Sequence, residues 1–279
     1  MRNIDEHTIT QAAIARHANA KDARLRQVMT SLVQHLHDFA REVRLTEAEW
    51  WTGIDFLTRV GHITDDKRQE FILWSDTLGL SMLVDALDHD LPDGATESTV
   101  LGPFYVVGAP ERAYGESIAE DPGGGGVPVH VSGHVRALDG TPIAGAEIDV
   151  WQNGEDMLYA VQSPEAPEDH LRGRFRTDAD GRFAFIGVRP VPYPIPDDGP
   201  VGAMLEATGR HPWRPAHIHM IVRAPGYRTL TTHIFDAASA YLDSDAVFAV
   251  KPSLIREFVR QADGSYAVNN DFVLAPLAG

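Results

Sequence analysis

Apolar residues recur at three- and four-residue intervals through the first third of the chain, then switch to alternate positions. In ARLRQVMTSLVQHLHDFAREVRL, residues 23–45, Leu25, Val28, Met29, Leu32, Val33, Leu36, Phe39, Ala40 and Val43 form the stripe of an amphipathic helix. Thr46 and Glu49 have the spacing of a capping box, which opens a second helix through Trp50, Ile54, Leu57 and Val60. A third helix is predicted from Asp65 to His89, with Phe71, Ile72, Ser75, Leu78, Met82, Leu83, Ala86 and Leu87 along one side. Pro92 and Gly94 then break the pattern.

Beyond that break the segments are short and rich in β-branched and aromatic residues. VPVHVSGHVRAL, AEIDVWQ, GRFRT, RFAFIGV, AHIHMIV, YRTLTTHIF and YAVNNDFVLA read as strands. Asp139-Gly140, Asp180-Gly181, Pro225-Gly226 and Asp263-Gly264 mark turns between them. EDPGGGGVP, residues 120–128, reads as a flexible connector, and no internal repeat is present. The predicted fold class is α+β. An N-terminal helical domain (residues 1–98) precedes an antiparallel β-sandwich domain (residues 99–279) that carries the chemistry.

Composition narrows the chemistry. The 279 residues include no cysteine, which excludes disulfides, thiolate nucleophiles, cysteine-bound zinc and iron–sulfur clusters. Any metal must use nitrogen and oxygen ligands. A formal net charge of −16 argues against nucleic acid as a partner, because phosphate binding needs a basic field. The N-terminal MRNIDEHTIT lacks the apolar core of a signal peptide, and no run approaches membrane-spanning length. No membrane insertion and a cytoplasmic location are therefore expected.

The stretch GRHPWRPAHIHMIVRAPGY, residues 209–227, holds the candidate chemistry. His217 and His219 stand at i and i+2, so on a strand they share one face, with Ile218 opposite. Two half-buried histidines with hydrogen-bond partners would satisfy that pattern, and so would two metal ligands. Arg214 precedes them, and Pro215 stiffens the approach. Tyr193 lies in the proline-dense VPYPIPDDGP, and Tyr159 follows AEIDVWQ. Each tyrosine alone reads as packing before it reads as a ligand.

Taken together, Tyr159, Tyr193, His217 and His219, with Arg214 three residues before the first histidine, resemble the ligand set of the intradiol ring-cleaving dioxygenases. LGPFYVVGAPER, IDVWQ, YPIPDDGPVGAML, RPAHIHMIV and YLDSDAVFAVK extend the likeness, and the helical third is similar to the family's catechol-type branch. The resemblance implies one Fe(III) per chain, held by Tyr159 and His217 as equatorial and Tyr193 and His219 as axial ligands. Hard phenolate oxygens suit the ferric ion, which would activate the organic substrate rather than O₂. Tyr193 would act as a base for an aromatic ortho-diol, and Arg214 would stabilise negative charge developing on the ring. A substrate pocket of Leu73, Asp76, Val100, Leu101, Gly102, Pro103, Phe104, Ile195, Pro196 and Val247 is implied as well. So is a homodimer through the helical domain, with phospholipid between the helices.

SDTLGLSMLVDAL and YPIP are most similar to the branch acting on hydroxyquinol (benzene-1,2,4-triol), and His233 agrees, since catechol enzymes tend to carry glutamine there. That implies cleavage to 3-hydroxy-cis,cis-muconate (maleylacetate), with catechol or chlorocatechol as the alternative substrates. Ser239-Ala240 departs from the family's usual Asp-Pro pair and bears on the loop carrying Val247. Two other readings compete: a transthyretin-like binding module without redox metal, and a zinc hydrolase, for which His211 is the nearby candidate third ligand.

Overall fold

Helices form where the apolar stripe predicts them, with one break. The computed structural model describes residues 3–66, 68–120 and 126–277, so most of the connector EDPGGGGVP lies outside the described residues. The chain divides into two compact units, one ending at Arg59 and the other starting at Val60.

In the first unit, α1 (Ile9–Ala15) packs on α2 (Ala23–Glu42). Buried Thr10 lies 3.0 Å from His37 Nδ1 and accepts from Arg41 Nη1 at 2.9 Å. Asp22 caps α2 by accepting from the Leu25 N–H. The capping box at the start of α3 (Glu47–Ile63) is present: Thr46 N–H donates to Glu49 Oε2 at 2.8 Å, and Glu49 N–H donates to Thr46 Oγ1 at 3.3 Å. No residue of α2 is buried, and Leu25, Leu32, Leu36 and Phe39 are each about half exposed.

The second unit starts with a correction. The predicted third helix is two helices, α4 (Glu70–Thr77) and α5 (Leu80–Asp88). Gly79 sits at φ +73°, which a residue without Cβ adopts freely, and its N–H closes a tight turn on the Asp76 carbonyl at 2.9 Å. The helix also starts five residues later than predicted. Asp65 accepts the Arg68 N–H, and Glu70, fully buried, accepts the Val201 N–H at 3.1 Å.

The strands follow in chain order as β1 (Pro128–Ala137), β2 (Glu147–Gln152), β3 (Arg172–Arg176) and β4 (Arg182–Val188). A two-stranded ribbon pairs β5 (Tyr193–Pro194) with β6 (Trp213–Arg214) across α6 (Pro200–Ala207). Then come β7 (His217–Arg223), β8 (Leu230–Asp236), β9 (Ile255–Arg256), β10 (Val259–Arg260), β11 (Tyr266–Asn269) and β12 (Phe272–Leu274). One sheet is centred on β1, and the other runs β3-β2-β7-β8-β9.

The sheets are mixed rather than purely antiparallel. β11 and β12 run parallel to successive stretches of β1, and β9 runs parallel to β8. These strands return after long connections, which leave direction free, whereas a tight hairpin forces antiparallel pairing. The core between the sheets holds Val129, Val131, Phe183, Phe185 and Phe272 on one side and Ile148, Val150, Ile218, Met220, Val222 and Ile234 on the other. Ile218, Met220 and Val222 thus all point inward. Alternation turns His217 and His219 to the outer face of the same strand.

Candidate active site

Strand pairing assembles the site on that outer face. His219 pairs with Trp151 of β2 and with His233 of β8, and His217 pairs with Phe235. The Trp151 indole stacks on the His219 ring at 4.7 Å and 12°, and the His233 ring centre is 4.1 Å from that of His219. The ribbon places Tyr193 directly opposite Arg214. Tyr159 opens the turn after β2; its N–H donates to Gln162 Oε1 at 3.1 Å, and Phe104 stacks on its ring at 4.8 Å. Gly102, at φ +75°, passes so close that a Cβ there would stand 3.3 Å from the His219 ring.

Four donor atoms converge. Tyr159 Oη is 3.3 Å from Tyr193 Oη and 3.4 Å from His217 Nε2, and His217 Nε2 is 3.1 Å from His219 Nε2. Arg214 Nη1 lies 3.2 Å from both Tyr193 Oη and His217 Nε2. All five side chains are at most 2% exposed. His217 Nδ1 is 2.7 Å from the Pro215 carbonyl, which can only accept, so the proton is on Nδ1 and the Nε2 lone pair faces the cluster.

This donor set fits a metal ion. Ligand atoms about 2 Å from one ion stand roughly 3.3 Å apart, the spacing seen here. Burial, reinforced by Arg214, holds His217 well below the usual imidazole range, and burial with His217 does the same to His219. Burial also pushes the Tyr159 phenol well above its ordinary value, and a metal cation held at this point would favour its phenolate. Burial would lower Arg214, but the Asp245 carboxylate and the two phenols outweigh it and raise the guanidinium above its ordinary value.

The other sequence-predicted residues fall into three groups. Leu73, Pro103, Phe104 and Pro196 line one cavity of about 220 Å³, together with Arg68, Glu70 and Gln162. Val100, Ile195, Asp76 and Val247 are buried outside that lining, and Asp76 interacts electrostatically with Arg214. Leu101 is 41% exposed and does not line the cavity.

Three neighbours were missed or under-read. Trp151 could have been found from alternation, since it has the face of the site. In the sequence His233 stands out only as a branch marker. It is 1% exposed, its Nδ1 bonds Thr99 Oγ1, and its Nε2 has no partner among the described residues. His217, His219 and His233 form a cluster able to hold a metal, so the histidine nearest the pair is His233 rather than His211, which bonds Ser244. Asp245, which pairs with Arg214, lies within YLDSDAVFAVK, but no local pattern marks it as the arginine's partner.

A family profile described as Dioxygenase matches residues 100–276, and one described as Catechol dioxygenase N terminus matches residues 22–96. A 6-chlorohydroxyquinol 1,2-dioxygenase of Cupriavidus pinatubonensis is 55% identical over 99% of both chains. A hydroxyquinol 1,2-dioxygenase of Rhizobium sp. is 48% identical over 97% of this chain and 95% of its own. The crystal structure of hydroxyquinol 1,2-dioxygenase from Pseudomonas putida DLL-E4 superposes with a TM-score of 0.90. It is 48% identical and covers 97% of this chain and 98% of that one. With both profiles matched in order and likeness over nearly its whole length, the chain belongs to the intradiol ring-cleavage dioxygenases.

Proposed function

We propose that the protein cleaves hydroxyquinol between its two adjacent hydroxylated carbons, with O₂, to 3-hydroxy-cis,cis-muconate (maleylacetate). The convergence of two phenol oxygens and two imidazole nitrogens beside a buried arginine carries this reading. Tyr159, Tyr193, His217 and His219 would hold one Fe(III) per chain. When bound, the ferric ion supplies Lewis-acid activation of an aromatic ortho-diol toward O₂.

The chain's own residues supply the rest. As a phenolate, Tyr193 Oη, 3.2 Å from Arg214 Nη1, would accept a proton from the incoming diol and become the neutral phenol. Arg214 presents a fixed donor to negative charge developing on the ring. Leu73, Pro103, Phe104 and Pro196 would give the ring an apolar wall, in a cavity whose lining also holds Arg68, Glu70 and Gln162. Val100, Gly102, Ile195 and Val247 would complete the pocket, whereas Leu101, 41% exposed and outside the cavity lining, rests on the family resemblance alone.

Asp76 would select the triol. It is 2% exposed on α4; burial holds its carboxyl above the usual range, while Ser81 and Arg214 pull it back. In either protonation state it would accept a hydrogen bond from the third hydroxyl, a donor that catechol lacks. Hydrogen bonds involving charged groups contribute about 1.5–3 kcal/mol, so hydroxyquinol should be favoured over catechol by roughly 10- to 200-fold in kcat/KM. Steady-state rates for both substrates, with 6-chlorohydroxyquinol beside them, test the assignment. A native preference for catechol overturns it. An unchanged ratio in Asp76→Ala removes Asp76 as its cause.

Residues 1–98 would serve as the dimerisation domain. The half-exposed row Leu25, Leu32, Leu36 and Phe39 on α2, with Trp50 and Trp51 on α3, supports this, because apolar surface of that extent normally finds a partner. Light scattering at micromolar concentration should give a dimer mass. Organic extraction followed by mass spectrometry should release phospholipid from the same helices. Among the described residues no helix is long and apolar enough to cross a membrane, and a cytoplasmic location is part of the proposal.

A further inference from the structure

We propose that Asp245 is the positioning residue of this site, setting the free edge of Arg214 and the wall residue Val247 with one carboxylate. The inference rests on the proposed dioxygenase reading, in which Arg214 stabilises charge on the reacting ring.

Asp245 lies in the irregular segment between β8 and β9, and its side chain is 2% exposed. Oδ1 accepts from Arg214 Nε at 3.0 Å and from the Val247 N–H at 3.3 Å. Oδ2 accepts from Arg214 Nη2 at 3.4 Å and from the Ala249 N–H at 3.0 Å. Four donors on two oxygens fill the acceptor capacity of a carboxylate.

The guanidinium is therefore gripped along its Nε–Nη2 edge. Only Nη1 is left to face Tyr193 Oη and His217 Nε2, each at 3.2 Å. A dry cation needs a counter-charge, and a charge-stabilising donor is effective only when its direction is fixed before the reaction. Asp245 meets both needs. Lysine could keep the charge but has no fork for the carboxylate to hold.

The same carboxylate shapes the loop. The Phe248 N–H donates to the Asp245 carbonyl at 3.1 Å, and Phe248 occupies φ +60°, which an aromatic residue rarely adopts. The Ala246 N–H donates to the Trp213 carbonyl at 3.1 Å, which ties the loop to the strand carrying Arg214. Val247, 2% exposed, cannot shift without disturbing the bonds that aim Arg214. Pocket shape and charge stabilisation are thereby mechanically linked. Asp76 interacts with both Arg214 and Asp245, so the residue assigned to the third hydroxyl belongs to the same charged group.

The test is a double-mutant cycle on the iron-loaded enzyme. In Asp245→Asn the amide nitrogen must oppose either Arg214 or a backbone N–H, and kcat should fall at least about tenfold. Adding the same change to Arg214→Ala should alter kcat less than about twofold, because the group it positions is gone. Iron content and the visible absorption band should persist in both, and the ratio of hydroxyquinol to catechol kcat/KM should drop in Asp245→Asn. Equal losses in the two backgrounds overturn the proposal. Arg214→Lys provides a second arm if Asp245→Asn fails to fold: its kcat should lie near that of Arg214→Ala, and a near-native value overturns the proposal. A wild-type enzyme without band or turnover instead refutes the dioxygenase reading itself.

Discussion

His217→Ala is expected to release the metal, bleach the protein and reduce turnover by more than about 10². The ring is locked by Nδ1 on the Pro215 carbonyl, and its Nε2 is the atom common to the contacts with Tyr159, His219 and Arg214. Losing a residue that merely orients a ligand already costs about 10- to 100-fold in affinity or activity, and losing the ligand costs more. The native protein should contain one iron per chain and show a broad visible band, from charge transfer between phenolate and Fe(III), that shifts when an ortho-diol is added anaerobically. Metal analysis and spectra of both proteins check this. Stoichiometric zinc without a visible band in active enzyme would sink it, and a colourless, inactive protein would favour the binding-module alternative.

Arg214→Ala should behave differently. Its iron and colour should stay nearly intact, while kcat falls by about 10²–10³, the loss typical of removing one preorganised donor to developing charge. The structure adds a qualification absent from the sequence reading. Arg214 also neutralises Asp245, and stripping a buried carboxylate of its partner destabilises a fold by about 3–5 kcal/mol. Rates should therefore be measured well below the variant's melting temperature and normalised to bound iron. Normal turnover per iron would refute the role.

Much of this site can be read from local pattern because strand alternation is a local rule. It places His217 and His219 on one face of β7 and Trp151 on the face of β2 away from Ile148 and Val150, and the pairing of the two strands makes these one face. His233 was within reach too: Gly226 of the Pro225-Gly226 turn is seven residues from both His219 and His233, and the hairpin pairs them. Asp245 was not. It meets Arg214 across 31 residues through an irregular loop, and no periodicity encodes such a contact. The helix break at Gly79 was hidden for a different reason. The apolar stripe runs through it, and a glycine inside a helix costs only about 1 kcal/mol, too little to force a break. The parallel returns of β11 and β12 depend on pairings formed after long connections, where direction is not written locally.

Strand β7 has a consequence for how this protein could be altered by design. Its even-numbered residues, Ile218, Met220 and Val222, serve the interior, and His217 and His219 serve the reactive face. A library randomised at the outward neighbours Trp151, His233 and Phe235 would vary the walls of the site and leave the core between the sheets in place, at the cost of the packing these buried residues supply. One randomised at the even positions would return mostly melted proteins with an unaltered repertoire. One strand thus divides its two faces between durability and reactivity.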